Sequence, residues 1–294
     1  MRTIYKQAVS GTLASVESDT TVSVQLSNNL AFSINLYATT STGSRQFVQT
    51  IGHDNGATIT GTEGDAIIVT CLMSGSFICS FTLSGSVSNI AVAPSVLTPP
   101  NDIGPIPQPT TEILVPVNSP LVMVGTNLLP NGNIITREQY WNLQGDSYSL
   151  VVGESRTVSY STASGRQSTS SSEESVAASI GVNGQIGWGP VSAGLSGSLN
   201  AQSSHFQQVT VEEESTAYSS ETVSNDTTED FVVLRWQMMD LITVYEPAQF
   251  NPISSVVSGL SPVIVQRYDI SSLVGTEADA LPAPRTVPVT AVLN

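Results

Sequence analysis

Charge is what this chain has least of. Only 11% of its 294 residues are Asp, Glu, Lys or Arg, where soluble domains carry roughly 25%. Basic residues are the scarcer sign, nine against twenty-four acidic ones, for a net charge of −15. A surface of that sign repels nucleic-acid phosphates and anionic headgroups. Neither nucleic-acid binding nor simple electrostatic adhesion to a membrane is expected. Histidine is nearly absent: His53 sits in the turn cluster His53-Asp54-Asn55-Gly56, and His205 is the other. No nucleophile, histidine and acid can be grouped from these two, no glycine-rich phosphate loop follows a strand, and no Cys/His spacing fits a metal. The expectation is a protein that is not an enzyme and uses no cofactor or metal. No apolar run approaches the ~18 residues of a transmembrane helix. No apolar signal core follows Arg2 and Lys6, so the chain is expected to be released as a soluble protein without a visible signal peptide.

Cysteine is almost as rare. Cys71 and Cys79 lie symmetrically about Gly75. With Ser74-Gly75-Ser76 as a three-residue loop, Cys71 faces Cys79 across a hairpin. A disulfide fits that geometry at a non-hydrogen-bonded pair, and two reduced thiols in an apolar strand pair fit it equally.

What the chain does have is alternation, turns and hydroxyls. Val22, Val24 and Leu26 alternate with polar residues up to Asn28-Asn29, and Leu30, Phe32, Ile34 and Leu36 alternate back. Short strands at such intervals predict an N-terminal β-sandwich over residues 1–93, assigned to recognition. Six prolines between Pro94 and Pro109 predict a semi-extended linker over 94–110. Residues 111–294 then read as an elongated, long-stranded β module. Ile113 to Val124 is apolar but broken by Pro116 and Pro120, which points to an edge strand or paired short strands. Phe231 to Tyr245 reads as a buried strand, with a short helix as the alternative, and little helix is expected anywhere. The fold class is all-β.

Within the second module, residues 175–211 contain no Asp, Glu, Lys or Arg. Val176, Ala178, Ile180, Val182, Ile186 and Trp188 fall on even positions. After Gly189-Pro190 the parity flips to Val191, Ala193, Leu195, Leu199 and Ala201. Between them stand Ser179, Asn183 and Gln185, then Ser192, Ser196, Ser198 and Asn200. A period of two on both sides of a break predicts a hairpin, placed at 175–208, with one apolar face and one small polar face. Ser/Thr tracts flank it (155–175 and 202–228), and Glu173, Glu174, Glu212, Glu213 and Glu214 stand at its base.

Each arm has about the 9–11 residues a tilted strand needs to span a bilayer. In hydrocarbon every backbone polar group must be paired, so such hairpins insert only as a closed barrel, with several chains contributing one each. The apolar row would face lipid and the polar row would line water. Freedom from charge fits, since a charge at mid-bilayer costs roughly 2–4 kcal/mol on the lipid face. Trp188 would anchor at the far interface, and the five glutamates would form an acidic rim favouring cations.

The region from about Trp141 to Pro247 resembles the pore-forming module of aerolysin-like β-pore-forming proteins. The resemblance lies in the Ser/Thr strand 155–175, the neutral hairpin Val176–Ala201 and the return strand 206–228. It implies a recognition domain joined to an elongated module, with the hairpin tucked away until oligomerisation. It also implies activation by loss of a terminal peptide, for which Leu281–Asn294 with Arg285 would serve. The partners expected are further copies of the chain in a homo-oligomeric ring, a target membrane, and an unknown receptor, glycan or protein. Two readings compete: an ordinary exposed hairpin packed by its apolar face on its own domain, and a β-rich structural subunit of an extracellular appendage or fibre, with the extended Pro282–Asn294 tail pairing with a neighbour's open edge.

Overall fold

The computed structural model describes residues 15, 18–41, 43–129, 131–169, 215–246, 251–260 and 262–273. The protein is all-β: the described residues form fifteen strands and two short 3₁₀ turns.

Seven strands come from the first third: β1 (Thr21–Asn28), β2 (Ile34–Thr39), β3 (Arg45–Ile51), β4 (Gly56–Thr62), β5 (Ala66–Cys71), β6 (Phe77–Thr82) and β7 (Asn89–Val92). β1 is the centre of a three-stranded sheet, antiparallel to β4 and parallel to β7. Strands β6, β5, β2 and β3 form the layer opposite. The inward row of β1, Val22, Val24 and Leu26, meets Ile34, Leu36, Val69 and Ile78 of that layer in one core. Adjacent in sequence, β1 and β2 do not pair with each other. Asn28 turns the corner between sheets: its buried amide donates to the carbonyls of Phe32 (2.8 Å) and Gly52 (3.0 Å), and its oxygen accepts the Leu30 N–H. Those bonds satisfy a backbone that has left both ladders.

The cysteine hairpin differs from its expected register. Val69, not Cys71, faces Cys79, because the turn closes between Cys71 and Ser76 rather than around Gly75, and the ladder shifts by one residue between Val69 and Thr70. The loop is closed by Cys71 and Ser76 (N–H to O, 2.9 Å), with Gly75 at φ +73. A β-bulge of this kind rotates the partner residues out of line. Both thiols are free and buried, and burial pushes each up to about 12.

Eight more strands follow: β8 (Val122–Leu128), β9 (Ile134–Leu143), β10 (Tyr148–Leu150), β11 (Ser155–Thr169), β12 (Ser215–Ser224), β13 (Phe231–Tyr245), β14 (Pro252–Gly259) and β15 (Ile264–Asp269). Strand begins only at Val122; upstream, Ile113, Val115 and Val117 are exposed and unladdered, as Pro116 and Pro120 dictate. The larger sheet runs β12-β11-β14-β13-β9-β8-β6-β5-β2-β3, with β10 and β15 also on β13. Its passage from one half of the chain to the other rests on a single parallel pair, Phe77 with Val122. Side chains close this line. Ala66, Ile68 and Phe77 pack with Ile103, Val122, Trp141 and Trp236. The proline-rich stretch is held on the sheet by buried Ile103 and by the Trp141 indole N–H donating to Gly104 (3.1 Å).

Strand β13 is the spine. It is buried along its whole length except at Met238, and neighbours lie on both edges. Two polar insertions sit here on opposite faces. On one, the Arg137 guanidinium grips Asp240 with two bonds (2.9 and 2.7 Å), and Gln139 donates a third (2.8 Å). On the other, the wholly buried Glu138 accepts a bond from the Ser74 hydroxyl in the β5–β6 loop. Its second oxygen is buried without a partner. Alternation places residues 137 and 138 on opposite faces, so the Arg137 guanidinium does not serve Glu138 as a counter-charge.

Candidate functional site

The first ten residues of β11 pair with the whole of β12, from Ser155 opposite Ser224 to Ser164 opposite Ser215. This is the flanking strand pair that the Ser/Thr tracts predict. Beyond it β11 leaves β12 and joins β14, from Gly165 opposite Gly259 to Thr169 opposite Val256, with a register shift between Arg166 and Ser168.

The outward row of the ribbon is a hydroxyl ladder: Ser155 with Ser224 (2.8 Å), Thr157 with Thr222 (3.2 Å) and Ser159 with Ser220 (3.5 Å). Such pairs satisfy one another without an apolar face, so the strands stay soluble while exposed. The inward row carries the contacts. Val158 is buried, and Val223 packs on Leu150, Phe231 and Val233. Tyr160 is the central contact. Its hydroxyl donates to Glu221 (2.6 Å) and lies 3.3 Å from the Tyr148 hydroxyl. The Arg235 guanidinium of β13 covers its ring at 4.3 Å and is ion-paired to Asp146. Asp146 also accepts the Ser161 N–H (3.1 Å). Arg156 covers the Tyr148 ring at 5.3 Å. The ribbon is thus held to β13 by this latch of aromatic rings and guanidinium groups together with Val223 on Phe231 and Val233.

A cation over an aromatic ring contributes about 1–2 kcal/mol when partly desolvated. Tyr160→Leu is therefore expected to speed amide exchange along residues 156–161 about tenfold while β13 keeps its protection. Equal rates in the two proteins would show that the ring does not hold the ribbon down.

The apolar hairpin row (176–201), the polar row beside it and the glutamates at 173–174 and 212–214 lie outside the described residues. What is placed is their support: β11 ends at Thr169 and β12 begins at Ser215. His53 stands in its turn, 2.7 Å from the Leu30 carbonyl and 3.1 Å from Asp54. Among the described residues no group of three His, Cys, Asp or Glu is placed to hold a metal. Sequence reasoning missed the latch. The available signal was Val158 and Tyr160, the two large side chains two apart within a hydroxyl tract.

No family model matches the chain, and no curated protein matches it. Among solved structures the chain is similar to Cry35Ab1, at 10% identity, over 79% of this chain and 73% of that one, with a TM-score of 0.38. A superposition that loose bears on neither site nor activity.

Proposed function

We propose that the protein is a β-pore-forming protein that docks on a target membrane, assembles into a ring and inserts residues 175–208 as its share of a barrel. The observation that carries this is the β11–β12 ribbon: a solvent-compatible strand pair with a hydroxyl outer row and the uncharged alternating stretch between its two strands. In this reading the N-terminal sandwich meets the receptor, the protein travels as a soluble molecule, and copies of the chain are its first partners. The Ser/Thr rows allow the ribbon to exist in water before assembly and to pair with neighbouring ribbons after it. The acidic residues at the base stay on the near side of the bilayer. The chemistry asked of the chain is pairing and burial, with no bond made or broken.

Dye release from liposomes prepared from target-cell lipids, with negative-stain microscopy of the same samples, tests the reading. Rings on lipid and leakage are expected. Val182→Arg is expected to stop leakage and leave the soluble fold intact, since a cation at mid-bilayer on the lipid face costs roughly 2–4 kcal/mol in each copy. Undiminished leakage from this variant would remove the hairpin as the inserting element. Filaments in buffer without rings on lipid would mark a fibre subunit instead.

A further inference from the structure

Among the described side chains, one arginine has no counter-charge. Arg137, Arg156, Arg235 and Arg267 each lie within 4 Å of a carboxylate. Arg45, at the start of β3, makes no ion pair among the described residues, and its Nε is buried without a hydrogen-bond partner. Leaving a guanidinium N–H unsatisfied is costly, and a fold tolerates it where something else supplies the acceptor.

The surroundings suit one kind of acceptor. The register sets Thr39 opposite Arg45, Tyr37 opposite Phe47 and Asn35 opposite Thr50, so the six share one face. The register shift beside Tyr37 leaves Val48 as the extra residue, which re-aims the strand between Phe47 and Gln49. Phe47 is 59% exposed and stands edge-on to Tyr37, with centroids 5.7 Å apart. Thr50 donates to Asn35 (2.6 Å) at the end of the row. Same-face neighbours on a strand are about 7 Å apart, the span of one sugar ring. β3 is the last strand of the sheet, so the patch is open from its edge.

We infer that Arg45, Tyr37 and Phe47 form a binding site for an acidic saccharide, with the guanidinium taking its carboxylate or sulfate and the exposed Phe47 ring taking its apolar face. Arg presents a planar fork that matches such oxyanions. The exposed hydroxyl of Thr50 and the amide of Asn35 match the sugar's own groups, while Thr39 is buried and bonded to the Ala66 carbonyl. One guanidinium at this patch, in a chain of net charge −15, selects against a long polyanion, which an acidic surface would repel. The inference rests on the pore reading only in giving the sugar a place on a target membrane. Binding itself is measured on the soluble protein.

The test is titration of the full chain with 3′-sialyllactose, lactose 3-sulfate and lactose, followed by saturation-transfer NMR. Binding of at least one acidic sugar with lactose much weaker is expected. Arg45→Gln should weaken that binding about ten- to hundredfold, the worth of a charged hydrogen bond. Phe47→Ala should weaken all three sugars, and both variants should keep the wild-type unfolding transition. Failure of both acidic sugars, equal binding of lactose, or unchanged affinity in Arg45→Gln overturns the site. So does Arg45-dependent binding to phosphatidylserine vesicles without sugar binding, which would make the ligand a lipid headgroup. Leakage that Val182→Arg abolishes, together with failed sugar binding, would leave the pore reading standing and this site refuted.

Discussion

Asp240→Ala lowers the unfolding free energy by about 3–5 kcal/mol. Arg137 is 1% exposed and is gripped by both carboxylate oxygens of Asp240. Removing the carboxylate leaves a guanidinium in the core, with the cost of desolvating it uncompensated. The pair itself adds little net stability, since its Coulomb attraction is spent against the hydration that both ions lost. The double replacement Arg137→Met with Asp240→Leu is therefore expected to come within about 1 kcal/mol of the parent or to exceed it. Urea unfolding followed by the emission of Trp141 and Trp236, which stand on β9 and β13, measures both. A single variant that loses less than about 1 kcal/mol, the range of a surface pair, would mean that water reaches the pair.

Glu138→Gln changes how stability depends on pH. Burial pushes the Glu138 carboxyl above the usual glutamate range, and bonds from Ser74 and Ser76 only partly oppose this. The titratable groups beside it are the Cys71 thiol and the Tyr245 phenol, both raised by burial first and then by Glu138. Neither supplies a positive charge. The folded chain therefore holds a proton that the unfolded chain releases above about pH 4.3. Between that pH and the raised folded value the native state binds more protons, so stability falls as pH rises. The slope approaches about 1.4 kcal/mol per pH unit. Full stability from this group lies on the acid side, and the loss comes on the alkaline side. Gln keeps the shape and carries no proton to lose, so the variant should match the parent near pH 4 and exceed it increasingly as pH rises toward the raised folded value. Parallel profiles for the two proteins would refute a protonated Glu138. The loss would fall on the joint between the halves, because Ser74 belongs to the sandwich and Glu138 to β9.

Short-range pattern carried much of the fold. The parity of Val22, Val24 and Leu26 is the inward row of β1, and the apolar run at 231–245 is β13. The hydroxyl tracts are the paired strands β11 and β12. What sequence could not reveal is set by partners far away. Arg137 and Asp240 are separated by 103 positions, and nothing near either residue announces the other. The corner at Asn28 and the Cys71–Ser76 closure that parts Cys71 from Cys79 each follow from one or two local bonds. Alternation reads the same with or without them. Of the candidate site, the ribbon was legible because its composition is unusual. The latch was not, because Tyr148, Tyr160 and Arg235 are brought together by the fold of three separate strands.

The order of the long sheet has a further meaning. Its outermost strands are β3 and β12. The proposed ligand patch therefore stands at one end of the strand order, and the ribbon that supports the proposed inserting hairpin stands at the other. A chain docked through β3 would hold its ribbon at the far end of that order from the anchoring sugar. The height of that sugar above the bilayer would then decide whether the ribbon reaches the lipid, so a receptor would be selected by its reach as well as by its chemistry.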